Sequence, residues 1–135
     1  TSCFESFAAH LAEVSVDGRG VITVHRMVCA LDCGTAIYPD AIRAQAEAGV
    51  VMGLSTALHE RVRFANGGVQ TANYDTYPLL TMAEVPEIEV ILAKNTGKAG
   101  GVGEPVSRRW PRPWPTRCSG PPASVCGISR FAGNC

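Results

Sequence analysis

Leu11-Ala12-Glu13-Val14-Ser15-Val16-Asp17-Gly18-Arg19-Gly20-Val21-Ile22-Thr23-Val24 decides the fold class. Ala12, Val14 and Val16 alternate with Glu13 and Ser15, the period of a half-buried strand. Asp17-Gly18-Arg19-Gly20 is a turn signal. Beyond it, as far as Leu31, Ile22, Val24, Val28 and Ala30 fall on one side and Met27, Cys29 and Leu31 on the other. The spacing therefore predicts a β-hairpin whose second strand is buried on both faces.

Working outward, Tyr38-Pro39-Asp40 marks a helix start, since proline is tolerated in the first turn. Ile42, Gly49, Val50, Gly53, Leu54, Ala57 and Leu58 recur at helical spacing up to about Glu60. Ala46, Gly49, Gly53 and Ala57 form a stripe of small residues, and each interior glycine weakens a helix by about 1 kcal/mol. The stripe implies close approach, either by a packed sheet or other backbone, or by a ligand. Arg61 to Phe64, Asn66-Gly67-Gly68 and Val69 to Thr71 read as a second hairpin. Glu87 to Leu92 sets Ile88, Val90 and Leu92 against Glu87, Glu89 and Ile91, a further strand. The class is α+β: a mixed or antiparallel sheet with hairpins and one principal helix.

The chain of 135 residues is 46% apolar and 18% charged, which suits a packed core. Twelve basic residues balance twelve acidic ones, leaving no basic footprint for nucleic acid. No apolar run reaches the roughly 18 residues of a membrane span. The start, Thr1-Ser2-Cys3-Phe4, lacks Met and any signal-peptide pattern, and reads as a cut edge. It carries no targeting segment, so cytoplasm and periplasm both stand.

Cys29 and Cys33 bracket Ala30-Leu31-Asp32, with His25 four residues earlier. On a strand, residues four apart lie about 13 Å from each other, whereas zinc ligands converge within about 2.3 Å of one ion. These thiols are read as buried and structural. No metal-ligating residue is assigned, and His10, His25 and His59 receive no role. Gly100-Gly101-Val102-Gly103-Glu104-Pro105 is more informative. Three glycines in four positions allow close backbone approach, and no helix pattern follows to make it a dinucleotide fingerprint. A carboxylate held between such a loop and a proline can serve as a general base, or it can be a solvent-exposed turn acid.

Several segments together resemble the large subunit of the xanthine dehydrogenase and aldehyde oxidase family of molybdenum hydroxylases, in the flavour of an isoquinoline 1-oxidoreductase beta subunit. They are Glu5-Ser6-Phe7 with Leu11 to Val16, Val24 to Gly34, Pro39-Asp40, and Arg43 to Gly49. Gly53 to Leu58, Tyr77 to Leu80, Pro86 to Val90 and Gly101-Val102-Gly103-Glu104-Pro105 continue the series in register. The resemblance implies that residues 1–105 are a fragment of a larger C-terminal molybdopterin-binding domain. It implies Glu104 as catalytic base toward a water-derived oxygen at molybdenum, Gln45 as a pterin contact, and Gly103 as backbone against the metal centre. The molybdenum would be held by the cofactor's own dithiolene sulfurs, here in the cytosine dinucleotide form of molybdopterin. [2Fe-2S] clusters are expected on a separate iron–sulfur subunit or domain, and the substrate is expected to be a small aldehyde or N-heteroaromatic. With most cofactor contacts upstream, the fragment alone is expected to be inactive.

Residues 106–135 depart from the family. Val106 to Pro115 has neither period, and its prolines suit neither helix nor central strand. The codons implied by Trp110-Pro111 and Trp114-Pro115, read two positions later, permit a segment containing Ala-Leu-Ala-Asn-Ala-Val-Phe, which has helix formers and an apolar stripe. The expectation is an out-of-frame, disordered tail whose Cys118, Cys126 and Cys135 are accidents of frame. A competing reading of the whole is a non-catalytic α+β interaction module with a Pro/Arg-rich tail. The two differ over Gln45 and Glu104: the enzyme needs both to face one site, and the module leaves them unrelated.

Overall fold

A computed structural model describes residues 2–107. In chain order its elements are β1 (Ser2–Cys3), β2 (Ser6–Val16), β3 (Ile22–Asp32), α1 (Pro39–Leu58), β4 (Phe64–Ala65), β5 (Gly68–Val69), a short 3-10 turn (Met82–Glu84) and β6 (Glu87–Leu92). One sheet has the order β1-β2-β3-β6, and β4-β5 form a separate small hairpin. β1, β2 and β3 are antiparallel, while β6 lies parallel to β3 with Met27 opposite Ile88 and Leu31 opposite Leu92. The class is α+β with a mixed sheet.

The hairpin turn forms as its residues require. The Asp17 carboxylate accepts the backbone N–H of Arg19 and of Val21, both at 2.9 Å. These bonds hold its carboxyl below the usual carboxylate range. What the alternation misjudged is the parity of β3. Val14 pairs with Val24 but Glu13 pairs with Arg26, so His25 is an extra residue, a β-bulge. Crossing it exchanges the faces, as a one-residue slip must. Val24 therefore shares the core with Met27, Cys29 and Leu31, while Val28 is only half-buried and Ala30 is exposed. β3 is buried on one face, not both.

α1 starts at Pro39, whose missing N–H costs nothing in the first turn. It buries Ile42, Ala46, Gly49, Val50, Gly53, Leu54 and Ser55 against β3 and β6. Val50, Leu54, Met27 and Leu31 are the large fully buried side chains at the centre; truncating one such side chain to alanine typically costs about 2–5 kcal/mol. The close approach at Gly49 is made by the chain itself. A β-carbon there would stand 3.0 Å from that of Val106 and 3.4 Å from the Ser107 nitrogen. Val106 is 2% exposed and belongs to the core, so packing continues past the 105/106 boundary drawn from the sequence. The rest of the proposed out-of-frame tail, from residue 108, lies outside the described residues.

The segment between α1 and β6 is tied to the helix end. Leu80 N–H donates to Ser55 Oγ at 3.1 Å, Tyr77 Oη donates to Glu60 at 2.9 Å, and Thr81 and Glu84 close a capping box around the 3-10 turn. No helix among the described residues is long and apolar enough to cross a membrane.

Candidate functional site

Gln45 lies in the second turn of α1, and Glu104 lies far along the chain in the loop that follows β6. The fold brings them together. Gln45 Nε2 donates to the Gly103 carbonyl at 3.0 Å, across 58 residues of sequence. The peptide that delivers Glu104 is thereby fastened to the helix. On its other side Pro105 is fully buried and Val106 packs on Gly49, while the Glu104 carbonyl accepts the Ser107 N–H at 3.1 Å. The Glu104 backbone is thus pinned from both directions while its side chain remains exposed. The backbone that carries this carboxylate has little freedom left to lose.

The three glycines of the loop serve two different purposes. At Gly100 a β-carbon would meet Ser6 Oγ at 2.4 Å and the Phe4 carbonyl at 2.9 Å, and at Gly101 it would meet the Phe4 β-carbon at 2.9 Å. Both positions are tight against this chain's own β1-β2 turn, where Gly101 N–H donates to the Phe4 carbonyl at 2.9 Å. That turn places Phe4 and Glu5 at φ of 51° and 65°, in the left-handed region. Gly103 differs: among the described residues nothing lies within 4 Å of a β-carbon built there. Its open flank beside the Gln45 amide and the Glu104 carboxylate suits a planar polar group brought against backbone. The amide keeps its carbonyl oxygen as an acceptor for a pterin edge. These residues fit a molybdopterin.

An open cleft in the fold lies at the other end of α1, lined by His25, His59, Glu60, Arg61, Tyr77 and Glu84 among others. It contains neither Gln45 nor Glu104. No group of three metal-ligating side chains is present among the described residues. Cys29 and Cys33 are free and buried, and burial pushes the Cys29 thiol up to about 11, which leaves it protonated and unreactive at neutral pH.

One anchoring group escaped the sequence reading. Asp32, the last residue of β3, accepts from Asn95 Nδ2 at 3.0 and 3.1 Å. Sixty-three residues separate the two, and no local spacing signals the pair.

Helix and glycine loop thus meet at the hydrogen bond from Gln45 to Gly103, one residue before Glu104. The family model for the molybdopterin cofactor-binding domain matches residues 2–86, and the chain belongs to that family, one of oxidoreductases. The match ends before the loop that carries Glu104. The chain is 41% identical over 100 residues to the isoquinoline 1-oxidoreductase subunit beta of Brevundimonas diminuta, covering 71% of this chain and 13% of that protein. It is 36% identical over 96 residues to a membrane-bound aldehyde dehydrogenase (pyrroloquinoline-quinone) of Gluconacetobacter polyoxogenes, covering 70% and 12%. The CO dehydrogenase structure from Oligotropha carboxidovorans superposes with a TM-score of 0.70 at 28% identity, covering 76% of this chain and 14% of that one. The chain thus spans about an eighth of the curated relatives it matches.

Proposed function

We propose that this chain is the part of a molybdenum hydroxylase large subunit that presents the catalytic base, Glu104, and one cofactor-binding amide, Gln45. The complete enzyme would hydroxylate a small aldehyde or N-heteroaromatic with water as oxygen source. The observation that supports the reading is the hydrogen bond from Gln45 to the Gly103 carbonyl, which fastens Gln45 to the residue before Glu104.

In this reading Gln45 and the Gly103 backbone would hold the molybdopterin, which when bound supplies the redox centre and activates the water-derived oxygen. Gln45 orients the cofactor edge and at the same time locks the peptide before Glu104. Glu104 takes a proton at its carboxylate as the new carbon–oxygen bond forms, and the buried Pro105 keeps it from swinging away. The dinucleotide form of the cofactor and an iron–sulfur partner subunit belong to the same proposal. So does the inactivity of this chain alone, which spans 13% of the length of a relative it matches and would lack the cofactor contacts of the remainder.

The test is Glu104→Gln in the assembled enzyme that contains this segment. Loss of a positioned base predicts a fall in kcat of about 100-fold or more with molybdenum content unchanged. Full turnover would remove Glu104 from the mechanism. The purified 135-residue chain should carry no stoichiometric molybdenum by metal analysis, and finding it there would show that the cofactor contacts are complete without the rest of the subunit.

A further inference from the structure

We propose that Asp32 is the positioning residue of the Glu104 loop: through Asn95 it fixes the point from which residues 96–104 leave β6, and so sets where Glu104 stands against Gln45. This rests on the reading of Glu104 as the base. β6 ends beside β3, with Ala93 N–H donating to the Leu31 carbonyl at 2.9 Å. Directly beyond, the Asp32 carboxylate accepts from Gly34 N–H at 3.0 Å and grips Asn95 Nδ2 with both oxygens, at 3.0 and 3.1 Å. Asn95 Oδ1 in turn accepts the Gly97 N–H at 2.8 Å. The Gly97 carbonyl accepts Thr35 N–H at 3.0 Å and Thr35 Oγ1 at 2.7 Å, and the Cys33 carbonyl accepts Gly100 N–H at 2.9 Å. The loop is therefore fastened along Asp32 to Thr35 before it reaches the glycines.

Asp32 serves both segments at once with a single carboxylate, and farther along the loop Lys98 Nζ adds an ion pair to Glu5 at 3.0 Å. The hydrogen bonds of Asp32 are charge-assisted, the strong kind. Its backbone cannot drift, because Leu31 and Cys33 on either side are buried. The departure is tight as well. Gly34 has φ +69°, and a β-carbon there would lie 2.0 Å from the Lys98 carbonyl oxygen. A rigid strand end, a carboxylate and an amide thus carry the position of the core out to Gly103, where Gln45 receives it.

The test compares Asn95→Asp, Asp32→Asn and the exchanged pair carrying both, in the assembled enzyme. Asn95→Asp sets two carboxylates against each other, which like charges resist. The exchanged pair restores an amide facing a carboxylate, with acceptors still available to Gly34 N–H and Gly97 N–H. Hydrogen exchange on cofactor-free enzyme should speed about tenfold at 97–103 in Asn95→Asp, with 27–31 unchanged, and return to the original rate in the exchanged pair. In loaded enzyme, kcat should fall about tenfold or more in Asn95→Asp with KM little changed, and recover with the exchange. Unaltered exchange at 97–103, equal loosening of 27–31, or no recovery in the exchanged pair would each overturn the assignment. So would an opened loop with undiminished kcat where Glu104→Gln is inactive. If Glu104→Gln keeps full turnover, the base assignment fails by itself, and the exchange pattern alone decides whether Asp32 holds the loop.

Discussion

At the residue scale, a strongly perturbed titrating group among the described residues lies on β2, away from Gln45 and Glu104. His10, on β2 opposite Cys29, has its pKa lowered by burial from 6.5 to about 4. The folded state resists protonation that the unfolded chain accepts, so between these values the unfolded state binds more protons. Stability contributed by neutral His10 is whole above pH 6.5, declines as the pH falls toward 4, and does not change further below it. Urea midpoints measured across that window should fall with a slope approaching one proton, and His10→Gln should flatten it. A midpoint that holds level from pH 6.5 to 4.5 in the original sequence would refute the shift. Acidic groups enter lower: hydrogen bonds from Ser55, Tyr77 and Thr56 outweigh desolvation at Glu60, and those from Thr81 lower Glu84. Their stabilisation is present above the ordinary carboxylate value and is lost as the pH drops through the lowered ones.

At the scale of elements, the loop after β6 acts as a strap between the β1-β2 turn and the end of β3. Its glycines are not equivalent, and substitution separates them. Gly100→Ala puts a methyl group 2.4 Å from Ser6 Oγ and 2.9 Å from the Phe4 carbonyl, and backbone cannot yield as a flexible side chain can. A loss of about 1–3 kcal/mol is expected, read as a lower urea midpoint. Gly103→Ala meets nothing among the described residues and should leave the stability within about 0.5 kcal/mol. It should nevertheless impair cofactor loading in the assembled enzyme if Gly103 lies against the cofactor. Equal destabilisation by both would show that the open flank at Gly103 has no special status. Ser6→Ala relieves only one of the two clashes at Gly100, so it should rescue Gly100→Ala incompletely.

On the scale of the whole molecule, the described body is a sheet covered on one face by a single helix. The other face presents exposed Phe7, Ala9, Ala30 and Ile91, crossed by the Arg26–Glu89 ion pair. That the chain spans about an eighth of its relatives accords with a fragment whose partners in packing lie elsewhere in the polypeptide. We propose that beyond the packed Val106 the present reading frame departs from that of its family. The nucleotide sequence across codons 105 to 110 checks this directly. A frame that restores the Ala-Leu-Ala-Asn-Ala-Val-Phe segment should raise the urea midpoint by adding an amphipathic helix to the core, and an intact single frame with no insertion or deletion relative to other family members would end the idea.

What the sequence determined by itself was local. Alternation and Pro39 placed the hairpin, the helix and the strand Glu87–Leu92 at or near their observed bounds, because each signal repeats within a few residues of itself. The glycine loop marked Glu104 as a candidate with two readings, Gln45 could be singled out only by family resemblance, and the bond from Gln45 to Gly103 could not be read at all. Tertiary structure alone decided three things. The His25 bulge reversed the faces of β3, since one inserted residue is invisible to a two-residue period until a partner strand sets the register. Val106 filled the notch at Gly49, where the helix pattern left open what would come close. Asp32 met Asn95 because parallel pairing of β3 with β6 brought the two strand ends side by side. A hydrogen bond spanning sixty-three residues has no period to announce it: it exists only once the chain has folded back on itself.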